Sequence, residues 1–247
     1  MDLMLPTLYD LCVENKIFLT RSNAKFYLKQ LFNGISFENR NVLDIGGGSG
    51  WVSFYSALNG AKNAVCLEPS EDGSTKGSDL LFKKNKNKLN INSATLVQTK
   101  IEDYDSEKKF DIVIMNNSIN HLVEGDCINL KSDSEMRMKV INIFKKVHNL
   151  TNNNATLVIV DYSKKHFFQK LGMTNHPLHP HTGFHDHETP EFWINLIEQY
   201  GYSFKSIDWV TPNSLKIFGK TFLNNYIIAN FLAFPFKISF KVNKFNS

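Results

Sequence analysis

The sequence predicts an α/β fold: a mainly parallel seven-stranded sheet with helices on both faces and an antiparallel last strand. Three observations carry this. Five short runs dense in Val, Ile and Leu alternate with longer amphipathic stretches from Asn41 onward. The first of them, NVLDI, passes straight into a glycine-rich turn. Two further β-like runs close the chain, placed to add an antiparallel edge. The five runs are almost continuously apolar, as strands covered on both faces must be.

Taken in order, the chain opens with two helical patterns, roughly Leu3 to Asn15 and Asn23 to Asn33, with Ser22 as N-cap of the second and Gly34 just past its end. These are placed to cap the sheet or cover a pocket. The strand runs follow: NVLDI, NAVCLE, ATLVQT, FDIVIMN and ATLVIVDY. A less regular stretch occupies Ser163 to Glu188. Thr189-Pro190-Glu191 then announces a helix, with Thr as N-cap, Pro at the first helical position and Glu in the first turn, and that helix ends at Tyr200-Gly201. YSFKSIDWV and PFKISFKV are the late strands, separated by a helical insertion over about 214–234. No internal repeat or Pro/Gly/Ser linker divides the chain, so residues 1–247 read as one domain. Within it, 1–40 form a helical cap, 41–161 one half of the fold and 162–247 the other.

A chain of 247 residues with 42% hydrophobic and 21% charged residues is neither disordered, nor collagenous, nor a polytopic membrane protein. The 28 Lys and Arg against 24 Asp and Glu leave a net charge of +4. Only Arg21, Arg40 and Arg137 carry a guanidinium, which disfavours a nucleic-acid partner. Cys12, Cys66 and Cys127 are odd in number and far apart, pointing to a reducing compartment, and the start MDLMLPTLYDLCVENK lacks the form of a signal peptide. A cytoplasmic protein is expected. One uncharged segment, TFLNNYIIANFLAFPF between Lys220 and Lys237, is shorter than the roughly 20 residues of a membrane span. It reads first as core or pocket lining, and second as a weak contact with a membrane surface or a lipid-like or amphipathic substrate.

The turn after NVLDI is Gly46-Gly47-Gly48-Ser49-Gly50. Glycine there serves positive φ, close approach of backbone to a ligand, and close packing of helix on strand. A dinucleotide fingerprint counted from Gly46 puts its last glycine on Trp51, and no G-K-[ST] follows, so neither dinucleotides nor nucleoside triphosphates fit. What remains is D-x-G-x-G-x-G: Asp44, Gly46, Gly48, Gly50. Here the chain resembles the class I S-adenosylmethionine-dependent methyltransferases, whose first motif has this form after the first strand. The resemblance spans roughly Val42 to Asp161, and more loosely TPEFWINLIEQYGY, which looks like the family's penultimate helix.

That resemblance implies a Rossmann-like fold and S-adenosyl-L-methionine as cofactor, with S-adenosyl-L-homocysteine as product. It assigns Gly46, Gly48 and Gly50 to the methionine and ribose pocket and gives Asp44 a role in tying the loop together. Glu68, 18 residues after Gly50, would accept from both ribose hydroxyls, a task suited to a two-oxygen acceptor at a strand end. Ile101 and Glu102 would meet adenine, with Lys100 standing where an acid is more common. Asn116, at the end of FDIVIMN, and His121 would border cofactor and substrate. The N-P-P-Y form of enzymes that methylate base amino groups is missing here.

Five histidines crowd NHPLHPHTGFHDH: His176, His179, His181, His185 and His187. Three readings stand open: a metal site, a general base for a substrate hydroxyl, and a substrate-ordering loop. No metal is expected, and the base is the favoured role. His121, His185 and His187 are the base candidates, the last two because they lie just before the Thr189 helix start, and Asp161, Tyr162 and Asp186 are expected on the acceptor side. A small molecule bearing a hydroxyl, a sugar or another metabolite, is the expected acceptor. An RNA or protein acceptor, or a catalytically silent cofactor-binding module, are the rivals.

Overall fold

All seven expected runs are strands in the computed structural model, which describes residues 4–69, 76–122, 130–176, 179–183 and 187–244, with backbone alone for 176 and 179–183. Cys127, His185 and Asp186 lie outside the described residues, as do the side chains of His176, His179 and His181. The strands are β1 Asn41–Ile45, β2 Asn63–Leu67, β3 Ala94–Val97, β4 Phe110–Asn116 and β5 Thr151–Asp161, with a two-stranded ribbon of β6 Asn175–His176 and β7 His179–Gly183, then β8 Tyr202–Trp209 and β9 Phe236–Val242. The main sheet has the order β3-β2-β1-β4-β5-β9-β8. β1 pairs in parallel with β2 and β4, and β2 with β3, while β9 runs antiparallel to both β5 and β8. This is the expected Rossmann-like mainly parallel sheet with an antiparallel last strand.

The helices are α1 Met4–Glu14, α2 Arg21–Leu31, α3 Trp51–Leu58, α4 Ser78–Leu89, α5 Ser134–Leu150, the single turn α6 Phe167–Lys170, and α7 Pro190–Glu198, followed by the short pieces α8 Lys216–Phe218 and α9 Tyr226–Leu232. Several boundaries differ from the sequence expectation for local physical reasons. Ser22 lies inside α2, and the N-cap is Thr20, whose hydroxyl accepts from the Asn23 N–H at 3.1 Å. β5 begins at Thr151, directly after α5. Asn152 there donates to Asp111 across the strand ends at 2.9 Å, and Asn154 takes up a left-handed φ of 61°. The Thr189 cap holds as expected: its hydroxyl accepts from the Phe192 N–H at 3.2 Å, with Pro190 at the first helical position. The stretch from Ser163 is more regular than expected, containing α6 and the β6–β7 ribbon. The insertion is not one helix but α8, a π-turn over Gly219–Leu223 and α9, broken at Asn224 and Asn225.

Two compact units share the chain: Met1–Met115 with Leu150–Ala155, and Asn116–Asn149 with Thr156–Ser247. In the first, α1 packs on α2, α3 and α4, so the N-terminal helices extend the helical layer. Phe54, Phe82, Leu28, Leu31 and Leu43 are fully enclosed, and Phe54 meets Phe82 with ring centroids 4.7 Å apart. In the second, Trp193 of α7 is fully buried beside Phe144 of α5. The Tyr202 hydroxyl donates to the Phe144 carbonyl at 2.8 Å, anchoring β8 to that helix.

Candidate active site

In the first unit the turn after β1 is shaped by left-handed backbone at Gly46, Gly48 and Gly50, with φ of 68°, 54° and 83°. Gly50 could carry no side chain, because a Cβ would lie 2.2 Å from the Phe82 ring. Gly47 is equally confined, by the Cys66 sulfur and the Asp44 carboxylate. Gly48 differs: nothing lies within 4 Å of where its Cβ would stand. The turn is thus tight against the protein at Gly47 and Gly50 and open at Gly48.

Two buried carboxylates hold the turn. Glu68, the residue after β2, is 2% exposed and accepts the Gly48 N–H through Oε2 at 2.8 Å. Asp44 in β1 accepts the Ser53 hydroxyl at 2.8 Å, joining the strand to the first turn of α3. Burial, opposed by the Ser53 hydrogen bonds and reinforced by the nearby Glu68 charge, pushes the Asp44 carboxyl up from 3.8 to about 7. The Cys66 thiol, buried behind the turn, is pushed well above its ordinary value, chiefly by desolvation. Ile101 is buried and Glu102 exposed on a single 3-10 turn over Ile101–Asp103.

In the second unit the principal feature joins residues far apart in sequence. His187 Nδ1 lies 2.9 Å from Asp161 Oδ1 at the end of β5, with both side chains almost wholly buried. The two atoms lie within pairing distance without the angles of a well-aligned hydrogen bond, and neither makes one to another partner among the described residues. The Tyr162 ring lies 5.8 Å from the imidazole, and burial, with Asp161 beside it, raises its phenol above the ordinary value. The next residue, Glu188, is fully buried and ion-paired with Lys164, with Lys131 Nζ a further 3.7 Å contact, and accepts the Thr189 N–H at 3.3 Å. A buried carboxylate held on three sides fixes the backbone between His187 and the start of α7.

Other candidates are placed differently. Asn116 is half-buried at the end of β4, and the N–H of left-handed Asn117 donates to the Val160 carbonyl at 2.8 Å. His121 is exposed, on a 3-10 turn over Ile119–His121, with Nε2 3.2 Å from Asn120 Nδ2. Sequence reasoning missed two buried residues of the second unit. Glu188 gave no signal beyond adjacency to the tract, and its role depends on lysines 24 and 57 residues away. His166 is a buried N-cap of α6, accepting the Gln169 N–H at 3.1 Å through Nδ1. Among the described residues no three His, Cys, Asp or Glu side chains gather as a metal site would require.

Comparison with known proteins agrees with the architecture. The profile of a family described as methyltransferase domain matches residues 17–206. No curated protein matches the sequence. Among solved structures, an S-adenosylmethionine-dependent methyltransferase from Mesorhizobium loti superposes with a TM-score of 0.58 at 12% identity, covering 87% of this chain and 95% of that one. The N-methyltransferase NodS from Bradyrhizobium japonicum gives 0.58 at 9% identity, over 90% of this chain and 97% of its own, and has also been solved with S-adenosyl-L-homocysteine. The [4+2]-cyclase SpnF gives 0.58 at 8% identity, over 91% and 82%. At these identities the likeness is one of fold.

Proposed function

The chain belongs to the class I S-adenosylmethionine-dependent methyltransferases, and from that membership we propose that it methylates a hydroxyl oxygen of a small-molecule acceptor, a sugar or another metabolite, with His187 as general base. S-adenosyl-L-methionine supplies a methyl group on a sulfonium whose leaving group is already built in, and S-adenosyl-L-homocysteine is the product.

The glycine turn fits that cofactor. Gly48 is open where a side chain would otherwise stand, and Glu68 brings a buried two-oxygen acceptor to the same turn. In this reading Gly46, Gly48, Gly50 and Glu68 hold the methionine and ribose portions. Ile101 and Glu102 meet adenine, Asn116 borders the sulfonium, and Asp44 acts indirectly by fixing the turn.

The single observation that carries the choice of a hydroxyl is the buried Asp161–His187 contact. A nitrogen or thiolate acceptor needs little base catalysis, whereas a hydroxyl must lose a proton as it reacts. In this proposal the aspartate against Nδ1 orients the imidazole, and Nε2 takes the proton. Asp161 is then a positioning residue, and Tyr162 contributes to the acceptor pocket. His185 is a further candidate base and Asp186 a further acceptor-side residue on sequence grounds, both outside the described residues, and His121 is the remaining candidate base.

The test separates binding from turnover. His187→Ala and His187→Gln are expected to bind S-adenosyl-L-homocysteine in calorimetry as the parent does, yet form it about 10²–10⁴-fold more slowly from hydroxyl acceptors. Parent-like turnover in both variants would remove His187 from the chemistry. Binding by the parent with no product from any acceptor would favour a silent module.

A further inference from the structure

Among the described residues, every large apolar side chain left exposed, apart from Leu19, Leu80 and Met138, lies within 167–173 or 215–231. The second range contains most of the uncharged segment that the sequence reading placed first in the core. Its anchors are instead few and specific. The Trp209 N–H donates to Asn224 Oδ1 at 2.9 Å, Ala229 is buried, and Gly219 sits so close to Thr211 that a Cβ would come within 3.1 Å of the hydroxyl. Held at those points, the pieces leave Ile217, Phe222 and Ile227 exposed over 69%, 61% and 78% of their surfaces.

The two ranges meet. Phe167 of α6 stacks on Phe231 of α9 with centroids 4.7 Å apart, and Lys165 Nζ reaches the Tyr226 hydroxyl at 3.4 Å. Lysines accompany the apolar side chains: Lys165 and Lys170 beside Phe167, and Lys216 and Lys220 beside Ile217 and Phe222. No acidic residue occurs anywhere between 162 and 185, or after Asp208. An aromatic and aliphatic surface whose own segments carry lysine and no acidic residue is complementary in charge to an anionic layer with an apolar interior.

We propose that α6 and the 215–231 segment form a peripheral docking surface for a bilayer containing anionic lipid. The apolar side chains enter the acyl boundary while the lysines stay at the headgroups, their stems lying along the apolar surface. A second copy of this chain fits poorly, since lysine would face lysine with no acid in either patch. A protein partner would offer pockets to anchors, but side chains this protruding suit a fluid layer that needs no matching pockets. No helix among the described residues is long and apolar enough to cross a membrane, so the attachment is to the surface. This inference is independent of the acceptor and of His187.

The experiment is flotation of the full chain with vesicles of phosphatidylcholine alone and of phosphatidylcholine mixed with phosphatidylglycerol. The mixed vesicles should carry the protein up the gradient, with about tenfold weaker binding to the neutral ones and a further fall on raising salt. Ile227→Ser and, separately, Lys165→Glu with Lys216→Glu should each lower binding about tenfold, whereas Leu19→Ser, outside the patch, should not. Phe222→Ser replaces Ile227→Ser if the latter melts early, with unchanged S-adenosyl-L-homocysteine binding as the folding control. Failure to float with mixed vesicles overturns the proposal, as does equal binding by the charge-reversed variant. A dimer in sedimentation that Ile227→Ser dissociates would also overturn it, assigning the face to a second copy.

Discussion

Asp44 and Asp161 are both aspartates of strands in the main sheet, and both are almost completely removed from water, yet they are accommodated in opposite ways. Asp44 receives a hydroxyl from Ser53, nine residues on, and responds to burial by holding its proton to about pH 7. Asp161 has a histidine against it, 26 residues on, which can carry a compensating charge. The first arrangement suits scaffolding, because a half-neutral carboxyl that accepts one hydroxyl stiffens a turn without requiring a cation. The second is compatible with the proposed proton transfer, the carboxylate lying against Nδ1 while Nε2 is the nitrogen assigned to the proton. Equal burial therefore leaves the two carboxylates in different chemical settings, set by the nearest partner of each.

Exchanging each for asparagine breaks the comparison most directly. Asp161→Asn is expected to lower turnover by about two orders of magnitude or more and to alter the limb of the pH–rate profile that reports the base, while S-adenosyl-L-homocysteine still binds. Steady-state kinetics beside calorimetry checks this, and a loss confined to cofactor affinity would place Asp161 in the scaffold with Asp44.

The next effect is in stability. Because the folded-state value of Asp44 lies above its unfolded value of 3.8, the folded chain holds this proton more tightly. Its contribution is least unfavourable at low pH, and stability falls as pH rises from about 4 to about 7, by roughly 4 kcal/mol at most. Denaturant unfolding at pH 5 and pH 8 should show a drop that is smaller in Asp44→Asn. An identical drop in both proteins would mean that other groups set the pH dependence.

The smallest effect sharpens the role of the turn. Glu68→Ala should weaken S-adenosyl-L-homocysteine by about 1–3 kcal/mol, the range for a lost charged hydrogen bond, and should leave the pH–rate profile unchanged in shape. Undiminished affinity in titration calorimetry would remove Glu68 from the ribose.

The two sites also differ in how they could be read. Asp44, Gly46, Gly48, Gly50 and Glu68 lie within 25 residues, on two strands joined by a helix, and their spacing is set by the strand–turn–helix unit itself. Local rules sufficed there, as they did for the Thr189 cap. Where those rules misplaced features, a competing contact had prevailed. Thr20 took the cap from Ser22, and Asn152 drew β5 back towards α5 by reaching Asp111. The uncharged run before Pro235 reads as core by hydropathy, but only a few of its side chains find partners inside, since Asn224 and Asn225 break it into pieces too short to bury one continuous face.

By itself, then, the sequence determined the alternation of strands and helices, the glycine turn and the acid at the end of the second strand. Each of these follows from periodicity and backbone geometry over a few residues. Only the tertiary structure decided that His187 meets Asp161, how Lys164 and Lys131 approach Glu188, and which apolar side chains among the described residues stay in water. Those outcomes depend on contacts closed over tens of residues, where many pairings are compatible with the same local pattern and packing selects among them.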